Sequence, residues 1–247
     1  MGSGLLGYPE QAELRNQEAL GLARELQHPL SLAIALLFAG MLYRWRRDAK
    51  LAGNFAEEAL KLSTKEGGFA QASAMSTALL GWAWSVQDQK QDGIELIRQG
   101  LAAYRATGGE GFRPMYLADL AEALENNGEL TEALTAVREA LTLANRTGER
   151  TYEAELHRLK GELTFLSSPS NLRESEFCYR TAIEVARKQS TRSWELRATT
   201  SLARLLAGQG RHDEAHSVLA AIYGWFTEGF DTADLKDATA LLNELGN

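Results

Sequence analysis

Valine and isoleucine are nearly missing from this chain: nine residues in 247, against 76 leucines and alanines. β-Branched side chains favour strands, whereas Ala, Leu, Glu, Arg and Gln favour helices. Nine such residues cannot fill the strands of an α/β protein this long, so the chain is all-α. Cysteine occurs once, at Cys178, which excludes an internal disulfide and fits a cytoplasmic location. The longest apolar run, 30–43, is broken by Ser31 and Gly40 and followed by Arg44. It falls short of the roughly 18 residues a membrane span needs. Lysine and arginine number 26 against 33 acidic residues, and the net charge of −7 argues against general nucleic-acid binding. The opening Met-Gly-Ser-Gly has no charged leader and reads as a cloning remnant.

What the chain does have is a period. Small residues seven apart recur as Ala12/Ala19, Ala52/Ala59, Gly93/Gly100, Ala133/Ala140 and Ser175/Ala182, and Ala215/Ile222 continues the series. Successive spacings are 40, 41, 40, 42 and 40 residues. Gln27, Gly67, Gly108, Gly148 and Ser190 follow the second small position at a constant distance, as helix stops. Gly40, Gly81, Ala121 and Ala203 precede the first small position in the same register. Each period therefore holds two helices, A and B. Small residues two turns apart on one face of B mark where A approaches closely. No such hairpin buries its apolar surface alone, so the hairpins stack.

This pattern predicts B helices over 10–26, 51–66, 90–107, 130–147, 171–189 and 211–224, and A helices over 30–47, 69–87, 113–127, 151–167 and 194–208. The organisation is one all-α solenoid of tandem helix–turn–helix repeats with a period of about 41 residues. A partial repeat, 5–28, precedes full repeats 29–67, 68–108, 109–148, 149–190 and 191–226. A C-terminal capping helix follows over 231–246, with Asp231 or Thr232 at its N-cap and Trp225, Phe226 and Phe230 folding it over the last repeat.

Leu120-Ala121, Leu124, Ala133, Val137 and Ala140 resemble the hallmark positions of the tetratricopeptide repeat. The unit is longer than that motif and resembles the C-terminal sensor of MalT-type regulators. The segments Thr147-Gly148-Glu149-Arg150, Ser193-Trp194-Glu195-Leu196-Arg197-Ala198 and Tyr223-Gly224-Trp225-Phe226 narrow it further. They resemble the C-terminal repeats of bacterial adenylate or guanylate cyclases, in which a cyclase domain and an AAA-type ATPase come first. The resemblance implies a fragment of such a signalling protein, with a first repeat that lacks its A helix. The apolar surface so exposed would favour a monomer or weak homodimer through that end.

Catalytic patterns are missing. No phosphate loop or dinucleotide-binding glycine motif is present. Gly108-Gly109-Glu110-Gly111 joins two helices and reads as a linker. His212 and His216 are spaced for a metal, but the residue after His212 is Asp213 and no third ligand is suggested, which favours an exposed helical face. His157, beside Glu155, Arg158 and Glu162, is a general-base candidate or an inter-helix hydrogen-bonding residue, the second being favoured. Cys178 reads as a packed thiol rather than a nucleophile. No catalytic residue, cofactor or metal is expected, and the chain reads as a non-enzyme.

In tetratricopeptide proteins the A helices line a concave groove. Carried over by position, the resemblance implies groove residues Ile34, Leu37, Met41 and Arg44, with Trp45 beside them; Met75, Ala78, Trp82 and Ser85; Met115, Ala118, Glu122 and Glu125; Glu155, Arg158, Glu162 and Phe165; and Arg197, Thr200, Arg204 and Ala207. That lining runs from Met/Trp-rich through acidic to arginine-rich. It suits an extended peptide or protein segment with an apolar and an acidic end. For each charged position, salt bridging between helices is the competing reading. Arg44-Trp45-Arg46-Arg47 ends a helix and reads as dipole capping more than nucleic-acid contact. The expected function is a regulatory scaffold whose groove takes a protein or peptide segment, including the parent's own ATPase module. The alternative is a MalT-type sensor of a small effector. Neither nucleic acid nor membrane is an expected partner.

Overall fold

The computed structural model describes residues 2–65, 68–87 and 89–246. Every regular element among them is a helix. In order these are α1 (Gly2–Leu5), α2 (Pro9–Glu25), α3 (Pro29–Trp45), α4 (Ala49–Lys65), α5 (Ala70–Ser85), α6 (Lys90–Ala106) and α7 (Arg113–Asn126). They continue as α8 (Leu130–Thr147), α9 (Glu153–Ser167), α10 (Leu172–Lys188), α11 (Arg192–Gly208), α12 (His212–Tyr223) and α13 (Ala233–Leu245). From α2 onward the boundaries fall within two residues of those the period predicts. The chain forms two compact units: Ala12–Arg150, and Gly2–Gln11 with the chain from Thr151 onward.

The helix ends follow from backbone conformation. Gly108 and Gly148 take left-handed φ values of 79° and 75°, as helix stops should. Gln27 and Ser190, at the equivalent positions, do the same with φ of 50° and 57°. Gly67, the remaining expected stop, lies outside the described residues. Proline opens α3, where its missing N–H costs nothing, and His28 Nδ1 accepts the Ser31 N–H to cap the same end.

In the first unit, small residues bring helices together. Ala52, Ala59, Ala133 and Ala140 are fully buried. The α5–α6 contact is backbone against backbone: a Cβ on Gly93 would lie 2.5 Å from Ser85 N, and one on Gly100 would lie 2.5 Å from Ala78 N. Ala12 is buried, but Ala19 is exposed. Helices α3, α5 and α7 pack side by side in that order.

The second unit is built the same way. Ser175, Ala182 and Ala215 are buried without exposure, and Ile222 fills the last small position from α12. Leu196, Leu202, Leu206, Leu219, Phe226, Leu235 and Leu241 form its core, so α13 docks on α11 and α12 as a cap. Thr232 occupies the N-cap of α13, but its hydroxyl donates to Gly229 O at 2.7 Å and accepts no helix N–H. The turn before the helix competes for that hydroxyl. Phe226 enters the core, whereas Trp225 meets Tyr8 at 5.5 Å and Phe230 stays half exposed against Tyr223. Residues 2–11 complete this unit. Ser193 Oγ donates to Gly4 O at 2.8 Å, and Glu228 Oε1 accepts the N–H groups of Glu10 and Gln11.

Candidate functional site

The first unit carries the apolar part of the expected groove, and it is largely filled by its own side chains. Met41, Arg44 and Trp45 on α3, Met75, Trp82 and Ser85 on α5, and Met115 on α7 are all buried. Arg44 pairs with Asp119 of α7 and lies over the Trp82 ring, 5.6 Å from its centre. Trp82 Nε1 donates to Glu122 Oε2 at 3.0 Å, and Ser85 Oγ donates to Trp82 O at 2.8 Å. Arg44 of α3 thus reaches Asp119 of α7 across the Trp82 ring of α5. The Met and Trp positions are thus core. What stays accessible here is half-buried Glu122, with Ile34 and Phe38 on α3 about two-fifths exposed. Phe38 and Phe112 meet edge to face at 6.3 Å.

The second unit carries the charged part, and there the side chains form a ladder. Both Glu155 oxygens accept from Arg158 at 3.0 Å, and Arg158 Nη1 also reaches Glu162 Oε2 at 3.4 Å. Arg197 donates to Glu155 at 3.4 Å and forks onto Asp234 of α13, its shortest contact being 2.6 Å. It also stacks over Trp194, 4.8 Å from the ring centre. Burial opposes the Arg197 charge, but Asp234 and Glu155 outweigh it and raise its pKa above the ordinary guanidinium range. Arg204, two turns further along the same face of α11, is exposed, and its ion pair among the described residues is a loose 3.8 Å contact with Asp237. Glu162 is half-buried and accepts the Tyr179 hydroxyl at 3.3 Å.

Asp119, Asp234 and Asp237 are the residues that position-by-position reading omits. None occupies a groove position, and only their distance from the arginines in space gives them a role. The remaining candidates find ordinary places. His157 is half-buried, and burial lowers its pKa; Glu153 and Lys160 face it, because they lie one turn away on α9, whereas Glu155 and Arg158 do not. Cys178 is buried, burial raises its thiol pKa, and Gly161 lies close to its Cβ and to the Tyr179 ring. His212 and His216 are exposed, and among the described residues no group of three His, Cys, Asp or Glu could hold a metal. Arg46 pairs with Glu13. No helix among the described residues is long and apolar enough to cross a membrane.

No protein-family model matches the chain, and no curated protein matches it. Solved structures do. One is a Rap protein complexed with competence and sporulation factor, with a TM-score of 0.65 and 18% identity over 96% of this chain and 61% of that one. Another is the Rap conjugation gene regulator of plasmid pLS20 in complex with the Phr* peptide, at 0.61 and 18% over 87% of this chain and 64% of that one. A third is a putative kinesin light chain of Podosopora anserina with nearly identical TPR-like repeats, at 0.54 and 18% over 80% of this chain and 95% of that one. The chain spans less than two thirds of either Rap protein. At these identities the likeness is one of fold, and the fold is a tetratricopeptide-like helical-repeat solenoid.

Proposed function

We propose that the chain is an interaction scaffold that takes a protein or peptide segment on the charged A-helix face of its second unit. The observation that carries this reading is Arg204, exposed on α11 and held by nothing tighter than the 3.8 Å contact with Asp237. A guanidinium so placed exchanges that contact for an incoming carboxylate at little cost. Glu162 offers the opposite charge on α9, and the Arg158–Glu155–Arg197 ladder holds both helices in place. The reading is supported by the two Rap structures, each solved with a bound peptide or factor. The apolar positions of the first unit stay in their core, and Ile34 and Phe38 are the residues of that face open to an apolar side chain.

The resemblance to cyclase-associated repeats implies that such binding is relayed to an attached ATPase and cyclase, or that the ATPase is itself the occupant. A small polar effector, as in MalT-type sensors, is the second reading, favoured by the polarity of the same face. Selection from a displayed peptide library tests the first. Native protein and Arg204→Glu, matched in helicity and melting temperature, are compared. Acidic peptides enriched by the native chain and lost with Arg204→Glu are expected. Identical selections from both would overturn the peptide reading and direct the search to small effectors.

A further inference from the structure

The first unit carries a cluster of charge of its own, between α6 and α8. A cavity of about 360 Å³ is lined by Arg105 of α6, Glu110 of the connecting loop, Arg113 at the start of α7, and Glu139, Leu143 and Arg146 of α8. Arg113 is almost fully buried, which is unusual for a guanidinium, and its Nη1 and Nη2 bind Glu110 Oε1 at 3.1 Å and Glu139 Oε1 at 3.0 Å. Arg146 Nη2 binds the other oxygen of Glu110 at 2.6 Å. The Glu110 carboxylate is thus seated between two guanidinium groups as an anion would be. Arg105 lines the same cavity, is exposed, and makes no ion pair among the described residues.

We propose that this cleft is a binding site for a phosphoryl monoester and that Glu110 is its displaceable occupant. Oxygen count separates phosphoryl from carboxylate. Glu110 has two oxygens, each already committed to one arginine, and the third arginine is left over. A phosphoryl monoester presents three terminal oxygens, one for each of Arg105, Arg113 and Arg146. Charge agrees. With Glu110 swung out, three guanidinium groups less the Glu139 carboxylate leave an excess of two positive charges, which a phosphoryl dianion neutralises. This excess stands in a chain whose net charge is −7.

The Glu110 side chain can turn outward while its backbone stays in place. Gly109 and Gly111 flank it, and Gly111 has open space where a side chain would stand. Gly108 takes a φ of 79°, and Gly109 sits so close to the Tyr104 ring that a Cβ there would lie 2.5 Å from it. The backbone is therefore held on both sides of Glu110, by Gly109 against Tyr104 and by the Arg113 N–H, which donates to Glu110 O at 3.2 Å. The Glu110 side chain is itself about two-fifths exposed. The site involves none of the A-helix residues invoked above and stands or falls separately from them.

Calorimetric titration tests it, with the native chain, Glu110→Gln, Arg105→Glu and the double variant. The probes are a phosphoserine pentapeptide, its unphosphorylated and Glu-substituted forms, and inorganic phosphate, all at low salt. Glu110→Gln removes the competing charge and is expected to bind the phosphopeptide about tenfold tighter than the native chain. Arg105→Glu is expected to abolish binding in either background without changing the melting temperature of that background, because the Arg105 side chain is exposed. Tighter binding of phosphopeptide than of inorganic phosphate identifies a phosphorylated protein segment as the source; equal binding identifies a free phosphate ester. The proposal is overturned if Glu110→Gln binds neither probe at about 10 mM, a level that would reveal even millimolar affinity. It is also overturned if binding survives Arg105→Glu, or if the Glu-substituted peptide binds as well as the phosphopeptide.

Discussion

Arg44 and Asp119 are 75 residues apart in sequence and form an ion pair in the core of the first unit. Arg44 is 5% exposed and Asp119 not at all, and the second Asp119 oxygen is buried without a hydrogen bond. A pair so placed fixes the separation of α3 and α7, because neither charge can reach water. The same contact turns Met41, Met75 and Trp82 from groove lining into core.

Removing one partner should therefore be costly. Asp119→Ala removes the carboxylate that balances the buried Arg44 guanidinium and is expected to lower stability by about 3–5 kcal/mol. The double change Arg44→Met/Asp119→Leu removes both charges and fills the space. It should cost less than the single change, and urea unfolding of both variants measures the difference. A double variant less stable than Asp119→Ala would show that the charges themselves hold the helices.

The glycines offer a comparison of opposite sign. Gly93 and Gly21 both lie in helices, where Ala is intrinsically better by up to about 1 kcal/mol. Nothing lies within 4 Å of a Cβ on Gly21, so Gly21→Ala should raise the melting temperature. A Cβ on Gly93 would meet the Ser85 backbone at 2.5 Å and Gly81 O at 2.6 Å. Gly93→Ala must push α5 from α6 and is expected to cost about 1–3 kcal/mol. Thermal unfolding that shifts both variants in the same direction would refute the backbone contact.

The same glycines show what a linear sequence reveals. Gly93 and Gly100 mark a close crossing because a seven-residue spacing is a property of one helix, and so are the stops at Gln27, Gly108, Gly148 and Ser190. Whether an A-helix face is open or covered depends on its neighbours. Trp82 and Met115 sit at groove positions by register, yet both are buried, Trp82 beneath Arg44 of α3. Asp119, Asp234 and Asp237 carry no local signal, since their arginine partners Arg44, Arg197 and Arg204 come from other helices.

Residues 2–11 are tied to the second unit by reciprocal capping, and that tie can be cut. Glu228 Oε1 accepts the Glu10 and Gln11 N–H groups at 3.0 and 3.3 Å, and Glu10 Oε1 accepts Gly229 N–H at 3.0 Å. Pro9 opens α2, and Glu228 satisfies the first free N–H groups of that helix from across the unit. Glu228→Ala should cost about 1 kcal/mol, the usual value of a cap. Amide hydrogen exchange of Glu10 and Gln11 should accelerate while that of α11 does not. Unchanged exchange at Glu10 and Gln11 would mean that Tyr8, Trp225 and Ser193 hold the segment without this capping.

His157 ties the stability of the protein to pH below the ordinary imidazole value. Burial is the main cause of its lowered pKa; Lys160 adds to the effect and Glu153 opposes it. The folded chain thus prefers neutral imidazole, whereas the unfolded chain takes up a proton near the ordinary value of about 6.5. Stability from this group is fully present above that pH and is lost as the pH falls from there towards the folded pKa. The slope cannot exceed about 1.4 kcal/mol per pH unit, the limit for one proton. Glu176, Glu110 and Glu214 act in a lower window: arginine partners hold their pKa values below the ordinary 4.5, so they lose stability only as pH falls through those depressed values. Urea unfolding between about pH 7.5 and 5.5 separates the two effects. The native chain should weaken over that range, and His157→Gln should weaken measurably less. Parallel curves would mean that His157 is as free to protonate in the folded chain as in the unfolded one.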